Sequence, residues 1–191
     1  MNIPNWLTLM RIVAVPAIIA LLYFPSRNTC MAAAIVFAAA SLTDFLDGYL
    51  ARKWNQVTTL GKLMDPLADK LLTLSTLVML AAISVDNDGS SWVPAWLVIV
   101  IMAREFLVTG IRAVAAERGL VMAADIFGKL KTVFQIAALI PLTLHYPLYG
   151  LDPRLPGEIL LYIALLLTVF SGGNYIAQFV HTIRSGGAVK S

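Results

Sequence analysis

The chain has 191 residues, of which 59% are hydrophobic and only 13% are charged, whereas a soluble domain carries about 25% charged residues. Its formal net charge of +3 comes from basic residues that are spread along the chain, which argues against a nucleic-acid-binding patch. The single cysteine, Cys30, excludes an internal disulfide and a cysteine-based metal site. The composition indicates an integral membrane protein, and we expect residues 1–191 to form one domain.

Apolar runs of about twenty residues, the length that a helix needs to cross the hydrocarbon core, alternate with short polar or proline-containing segments. This pattern predicts an all-α fold, a polytopic membrane bundle of about six transmembrane helices. The predicted spans are Asn5–Phe24, Thr29–Ala51, Leu60–Ile83, Trp92–Ala116, Asp125–Tyr146 and Gly157–Ile183.

The distribution of Lys and Arg predicts the orientation of the bundle. One set of helix ends carries most of them, including Arg52, Arg118 and Arg184, whereas the opposite loops contain only Arg27 and Arg154. Because cytoplasmic loops are enriched in positive charge, we expect both termini and the loop after the second span to face the cytoplasm. The predicted location is the cell inner (cytoplasmic) membrane, with the active site at the cytoplasmic end.

Four aspartates lie where the second span ends and the third begins: Asp44, Asp47, Asp65 and Asp69. Spacings of three and four residues place each pair on one helix face, and the short connector allows the two helices to pack antiparallel. Four neighbouring carboxylates need a counter-charge, and Mg²⁺ or Mn²⁺ prefers such oxygen ligands. We therefore expect a site for two divalent ions. A buried polar network or a proton relay are the alternatives.

Small residues and one arginine accompany the aspartates. Gly48, Ala51 and Gly61 leave the helix surfaces open, so that a phosphate can approach closely. Arg52 has a planar guanidinium suited to bidentate phosphate contact, although an interfacial anchor at the membrane surface is the alternative for this residue.

The pattern D-x-x-D-G-x-x-A-R at 44–52, followed by G-x-x-x-D-x-x-x-D at 61–69, resembles the signature of the CDP-alcohol phosphotransferases. The resemblance implies a magnesium-dependent enzyme of phospholipid synthesis, in which an acceptor hydroxyl attacks a CDP-linked lipid and CMP leaves. It also implies that the protein is a homodimer, as members of this family commonly are.

The resemblance assigns roles to individual positions. It implies that Asp44, Asp47 and Asp65 bind metal, and that Asp69 is a further ligand or the base that accepts the proton of the acceptor hydroxyl. The residues expected to contact CDP-diacylglycerol are Asn5, Thr8, Gly48, Arg52, Thr58 and Gly61.

The first span begins with a polar stripe in which Asn5, Thr8 and Arg11 recur at every third position. The segment resembles the nucleotide-contacting start of the family's first helix, which favours Asn5 and Thr8 as CDP contacts. Helix capping and interfacial anchoring are the alternatives, and the role of Arg11 stays open.

A second group of basic residues follows in the fourth and fifth spans. Arg104 and Arg112 are eight residues apart and share a helix face, whereas Glu105 is expected not to share the face of Arg104. The group suits an anionic acceptor such as a phosphorylated polyol, although part of it can be ordinary positive-inside charge. The residues predicted to bind the acceptor phosphate are Arg104, Arg112, Arg118, Lys129 and Lys131.

Within the family, the segments R-E-F…G-I-R and G-K-x-K-T most resemble members that transfer the phosphatidyl group of CDP-diacylglycerol to sn-glycerol 3-phosphate. Inositol phosphate, serine and phosphatidylglycerol stay open as alternative acceptors.

Two other classes of function are compatible with intramembrane carboxylates. One is a cation-coupled transporter, although the aspartates gather at one membrane face whereas transporter sites usually lie near the midplane. The other is a non-catalytic membrane scaffold, which would not require the four aspartates.

Overall fold

The computed structural model describes residues 3–54, 59–83, 91–117, 126–148 and 150–184, and for residues 3–5, 7, 44–54, 59–63, 65 and 66 it describes the backbone alone. Each predicted span corresponds to one helix, with every boundary within three residues of its predicted position. The described ranges contain no strand beyond an isolated bridge between Leu148 and Leu151. The helices are α1 (Ile3–Tyr23), α2 (Arg27–Trp54), α3 (Thr59–Ala82), α4 (Ala95–Glu117), α5 (Ile126–Leu144) and α6 (Arg154–Arg184).

The turn between α1 and α2 is held by reciprocal hydrogen bonds. The backbone N–H of Thr29 donates to Ser26 Oγ at 3.2 Å, and the N–H of Ser26 donates to Thr29 Oγ1 at 2.9 Å. Such a capping box satisfies backbone donors that the first turn of a helix leaves without partners. It makes α2 start immediately after Ser26, so that α2 runs antiparallel to α1.

The turn between α5 and α6 is similarly short. Gly150 has φ = 81°, a conformation that glycine adopts without steric cost, and Leu148 and Leu151 exchange backbone hydrogen bonds across it. The carboxylate of Asp152 then accepts hydrogen bonds from the backbone and side chain of Arg154, which lower the pKa of Asp152. These contacts make α5 and α6 a tight antiparallel pair.

The core lies between the packed helices of the bundle. α1 packs against α2 and α3, α5 packs against α6 and α2, and α4 packs against α6 and α3. Gly157 of α6 illustrates how closely α5 approaches, because a Cβ at this position would lie 2.7 Å from Leu142 Cγ. Phe37, Leu77, Ile101 and Leu139 are among the fully buried core side chains.

Large apolar side chains also cover the outside of the bundle. Val13, Ile35, Ile99, Val133 and Leu166, each from a different helix, are all at least 60% exposed. An apolar exterior of this extent is typical of a lipid-facing surface. Within the described ranges, α5 and α6 are long and apolar enough to cross a membrane, and Thr8–Tyr23 of α1 forms a shorter apolar helix.

Candidate active site

A cavity of about 470 Å³ lies where α2, α3, α4, α5 and α6 converge. Its charged and polar lining includes Asp69 and Lys70 of α3, Arg104, Glu105 and Arg112 of α4, Lys129 and Lys131 of α5, and Ser171 and Tyr175 of α6. Cations outnumber carboxylates in this lining, so the cavity attracts an anion.

Arg104 is held in place by three hydrogen bonds. Its Nε donates to the Thr168 carbonyl oxygen at 3.2 Å, its Nη2 to Ser171 Oγ at 2.6 Å and its Nη1 to Glu105 Oε1 at 3.2 Å. The stem of the side chain passes close to Gly172, where a Cβ would lie 3.0 Å from Arg104 Cγ. Glycine at this position therefore allows Arg104 to cross from α4 to α6 and leaves its guanidinium at the cavity wall.

Glu105 is the buried counter-charge of the cations in the cavity. It forms ion pairs with Lys131 of α5 and with Arg104, and Lys70 Nζ lies 4.0 Å from its Oε2. Arg104 and Glu105 are neighbours in sequence, and their side chains are in contact although consecutive positions of a helix face different directions. The two Cα positions are adjacent, but the long arginine side chain folds back far enough for Nη1 to contact its neighbour.

Arg112 lies eight residues after Arg104 on α4, against Tyr175 of α6. Its Nε donates to the Tyr175 hydroxyl at 2.9 Å, and its Cζ lies 5.3 Å from the centre of the tyrosine ring. A guanidinium near an aromatic ring is stabilised by the ring quadrupole. Tyr175 thus orients Arg112, and among the described residues no hydrogen bond from its two terminal guanidinium nitrogens is found.

Two further residues approach the cavity from the aspartate-rich region. Asp69 is partly buried and lines the cavity beside Lys70, whose ammonium donates to Thr109 Oγ1. Ser41 of α2 lies one helical turn before Asp44. Its hydroxyl is buried and has no hydrogen-bond partner among the described residues, so it is available to a polar ligand.

The structure brings together several of the residues predicted to bind an acceptor. Arg104, Arg112, Lys129 and Lys131 all line the cavity, and Lys131 is buried whereas Lys129 is exposed. Arg118 lies outside the described residues. These four cations line the same cavity. Two of them come from α4 and two from α5, and these helices do not pack against each other within the described ranges.

The metal and nucleotide predictions are only partly covered by the described residues. Asp69 lines the cavity, and Thr8 is buried at 2% exposure on α1. Thr58 lies outside the described residues. The same holds for the side chains of Asn5, Asp44, Asp47, Arg52 and Asp65, whose backbones are helical, as are those of Gly48 and Gly61.

Sequence reasoning did not predict Lys70, Glu105, Thr109, Ser171 and Tyr175 as part of the cavity. The signal for Glu105 was present, since a carboxylate inside a mostly apolar helix requires a partner. No comparable signal marks Ser171 or Tyr175, because their contacts join residues that are 67 and 63 positions apart.

The potential metal ligands in this region suit a hard divalent cation. Asp69 supplies carboxylate oxygens at the cavity, and the segment 44–69 contains four aspartates and no His or Cys. Oxygen ligands of this kind are those that Mg²⁺ and Mn²⁺ prefer. Among the side chains that the structure describes, no three His, Cys, Asp or Glu residues form a cluster. The predicted ligand set extends beyond these side chains and stays a prediction.

A bundle of apolar helices around a basic, carboxylate-bearing cavity defines a membrane-associated protein that handles an anionic ligand. Comparison with known proteins is consistent with this class and extends it. The model of the CDP-alcohol phosphatidyltransferase family matches residues 1–170, and the chain belongs to this family.

Curated relatives cover nearly the whole chain. A Bacillus subtilis protein is 40% identical over 189 residues, which are 93% of this chain and 94% of the relative. A Rickettsia bellii protein is 44% identical over 177 residues, 91% of this chain and 93% of the relative. A Haemophilus influenzae protein is 36% identical over 179 residues, 92% and 91% of the two chains. All three are named CDP-diacylglycerol–glycerol-3-phosphate 3-phosphatidyltransferase.

The chain is therefore an enzyme, a transferase of phospholipid synthesis, and the prediction of its family is confirmed. Members of the family are generally metal-dependent. Family membership also favours catalysis over the cation-coupled transporter and the non-catalytic scaffold.

Proposed function

We propose that this enzyme transfers the phosphatidyl group of CDP-diacylglycerol to sn-glycerol 3-phosphate, giving phosphatidylglycerophosphate and CMP. The observation that carries the proposal is the cavity in which Lys70, Arg104, Arg112 and Lys131 lie beside Asp69. Such a wall suits a small acceptor with a phosphate, and the relatives are named for this acceptor.

The acceptor phosphate binds among these cations in our proposal. Arg104 and Arg112 present planar guanidinium groups that match phosphate oxygens, and their hydrogen bonds to α6 hold them in place before the acceptor arrives. Lys129 lines the same cavity, and we include Arg118 in the predicted acceptor-binding set. Serine lacks the phosphate that such a set would bind, so serine is a poorer candidate.

Catalysis is a displacement at phosphorus. The hydroxyl oxygen of the acceptor forms a bond to the phosphatidyl phosphorus, the bond from that phosphorus to the oxygen of CMP breaks, and CMP leaves with the electron pair. We assign Asp69 as the base that takes the hydroxyl proton, or as a further metal ligand. A carboxylate at hydrogen-bond distance from the attacking hydroxyl is a standard arrangement for a general base.

The metal site in this proposal consists of Asp44, Asp47, Asp65 and Asp69, which hold Mg²⁺ or Mn²⁺, with two ions as the expected number. When bound, the metal neutralises the diphosphate and stabilises the charge that develops on the leaving group. All four positions lie on α2 and α3, whose backbones are helical there.

The donor nucleotide is assigned to the residues around the same helix ends. The proposed contacts of CDP-diacylglycerol are Asn5, Thr8, Gly48, Arg52, Thr58 and Gly61. Support comes from the packing of α1 against both α2 and α3 and from the burial of Thr8 within that arrangement.

The cellular setting completes the proposal. Residues 1–191 form one domain in the inner (cytoplasmic) membrane, with both termini and the active site on the cytoplasmic side, because the positive charges concentrate there. We also propose a homodimer, on the resemblance to the family alone.

The test is an acceptor panel with purified full-length enzyme, CDP-diacylglycerol and Mg²⁺. We expect CMP release and a labelled lipid with radiolabelled glycerol 3-phosphate, and neither product after EDTA until Mg²⁺ is restored. CMP release with only inositol phosphate, serine or phosphatidylglycerol would keep the reaction type and reject the acceptor. Absence of CMP with every acceptor would reject the whole proposal.

A further inference from the structure

We propose that Ser41 of α2 binds the second hydroxyl of the acceptor, the one that does not react, and thereby selects among phosphorylated polyols. This inference rests on the proposed function, since it assumes an acceptor with a phosphate at one end and a reacting primary hydroxyl at the other. All such acceptors carry the anion that the cations of the cavity attract, so a further contact is needed to distinguish them.

Five residues with a hydroxyl group line the cavity among the described residues, and four of these hydroxyls already have hydrogen-bond partners. Those of Thr109, Thr132 and Ser171 each donate to a backbone carbonyl of the preceding helical turn, and that of Tyr175 accepts from an arginine of α4. The hydroxyl of Ser41 is buried and has no partner within the described part of the chain. It is therefore the hydroxyl of this wall that is free to bind a ligand.

The missing bond of Ser41 is informative because a hydroxyl inside a helix can pair with the backbone of the preceding turn. Thr43, two residues further along α2, does so and donates to the carbonyl oxygen of Ala40 at 2.7 Å. The hydroxyls of Thr143 and Thr168 are also buried and unpartnered among the described residues, but neither residue lines the cavity. Ser41 alone combines the unpaired hydroxyl with a place in the cavity wall.

The position of Ser41 on α2 relates it to the reacting end of the acceptor. Positions 41 and 44 are three residues apart, so they share a helix face and differ by about 4.5 Å along the axis. Asp44 is a predicted metal ligand, whereas the cations of the cavity come from α3, α4 and α5. An acceptor whose phosphate lies among these cations therefore meets Ser41 from a different helix, on the side of the predicted metal ligands.

The chemistry of the acceptor explains why a neutral hydroxyl is suitable there. In sn-glycerol 3-phosphate, the carbon next to the reacting C1 carries a second hydroxyl, which enters the cavity together with the first. A hydroxyl that is buried without a partner is unfavourable, and a serine hydroxyl can both donate to it and accept from it. Contacts at the phosphate, the reacting hydroxyl and the second hydroxyl are three points, which is enough to distinguish this acceptor from its mirror image.

The first experiment compares two acceptors that differ by one hydroxyl. Purified full-length enzyme is given CDP-diacylglycerol, Mg²⁺ and either sn-glycerol 3-phosphate or 3-hydroxypropyl phosphate, which lacks only the second hydroxyl. In the wild type, we expect kcat/KM to be about tenfold lower for 3-hydroxypropyl phosphate. Ser41→Ala should lose about tenfold with sn-glycerol 3-phosphate and less than about twofold with 3-hydroxypropyl phosphate, because the two changes remove the same contact.

Two further variants separate the hydroxyl of Ser41 from the volume of its side chain. Ser41→Cys keeps a similar size but offers only a weak hydrogen-bonding group, so it should lose as much as Ser41→Ala. Thr143→Val removes another buried, unpartnered hydroxyl away from the cavity, and it should change kcat/KM by less than about twofold with both acceptors. The midpoint of thermal unfolding of Ser41→Ala should not fall, because the variant removes a polar group that has no partner in the free enzyme.

The second experiment tests the stereochemistry of the acceptor. The preference of the wild type for sn-glycerol 3-phosphate over sn-glycerol 1-phosphate, measured as the ratio of the two kcat/KM values, should shrink by about tenfold in Ser41→Ala. Thr143→Val should keep the preference of the wild type. An unchanged preference in Ser41→Ala would overturn the contact with the second hydroxyl.

The outcomes separate this inference from the proposed function. Equal losses of Ser41→Ala with the two acceptors of the first experiment would place Ser41 at the phosphate, at the metal or in the fold, and no loss with either would leave it without a role. Both results would overturn the inference and leave the proposed function intact. Absence of CMP release by the wild type with either acceptor would reject the proposed function and the inference with it.

Discussion

The carboxylate of Glu105 in α4 and the ammonium of Lys131 in α5 form a buried ion pair across the basic cavity. Their side chains are 11% and 7% exposed, and α4 and α5 do not otherwise pack together within the described ranges. The pair therefore connects two helices through the site itself. In the free enzyme, Glu105 holds the negative charge that the cavity cations require.

Replacement of Glu105 by Gln should lower the stability of the protein and increase the stabilisation that the bound acceptor provides. Removing one partner of a buried ion pair leaves the other charge uncompensated, at a cost of about 3 kcal/mol. The midpoint of thermal unfolding in detergent should fall, and glycerol 3-phosphate should raise it more in the variant than in the wild type, because its phosphate restores the missing negative charge. An unchanged midpoint would contradict this role of Glu105.

Asp69→Asn should abolish most turnover and leave the protein folded. Loss of a general base typically costs about 10²–10⁴-fold in rate, whereas the amide has the same size as the carboxyl group. CMP release measures the loss of turnover, and the elution volume in size-exclusion chromatography tests whether the variant is folded. Asp152→Asn, a matched change at an exposed residue of the α5–α6 turn, should retain turnover. Recovery of the Asp69 variant at high Mg²⁺ would assign metal binding in place of proton transfer.

Tyr175→Phe should weaken acceptor binding without affecting the donor. The variant keeps the ring beside Arg112 and loses the hydroxyl that accepts from Nε, and one such hydrogen bond contributes about 1 kcal/mol. We expect the KM for glycerol 3-phosphate to rise by roughly fivefold. Arg112→Ala should raise it further. A rise in the KM for CDP-diacylglycerol instead would place these residues at the donor.

The adjacent glycines of α6 offer a test of how Arg104 is positioned. Gly172→Ala puts a Cβ 3.0 Å from Arg104 Cγ, whereas at Gly173 a Cβ meets no atom within 4 Å. Gly172→Ala should therefore shift Arg104 and raise the KM for glycerol 3-phosphate, by about three- to tenfold if one charge-assisted hydrogen bond weakens. Gly173→Ala should leave the KM unchanged and stabilise the helix slightly, since alanine favours helix. Equal effects of the two changes would show that Arg104 is not involved.

The sequence alone was sufficient for the helices, because their signals are local. Runs of apolar residues, the Pro25-Ser26 break and the proline-rich turn before α6 predict six helices, with boundaries close to those observed. The family and the type of chemistry also followed from sequence, since the spacing of Asp44, Asp47, Asp65 and Asp69 is itself the recognisable feature. The convergence of these four carboxylates on a metal stays a prediction.

Only the tertiary structure decided which residues share a site. Arg104 reaches Ser171 and Arg112 reaches Tyr175 across more than sixty positions of sequence, and no helical periodicity encodes contacts between separate helices. The same holds for the pairing of Glu105 with Lys131. The physical reason is that a buried charge is tolerated only where another helix supplies its partner, and the arrangement of the helices determines which residue that partner is.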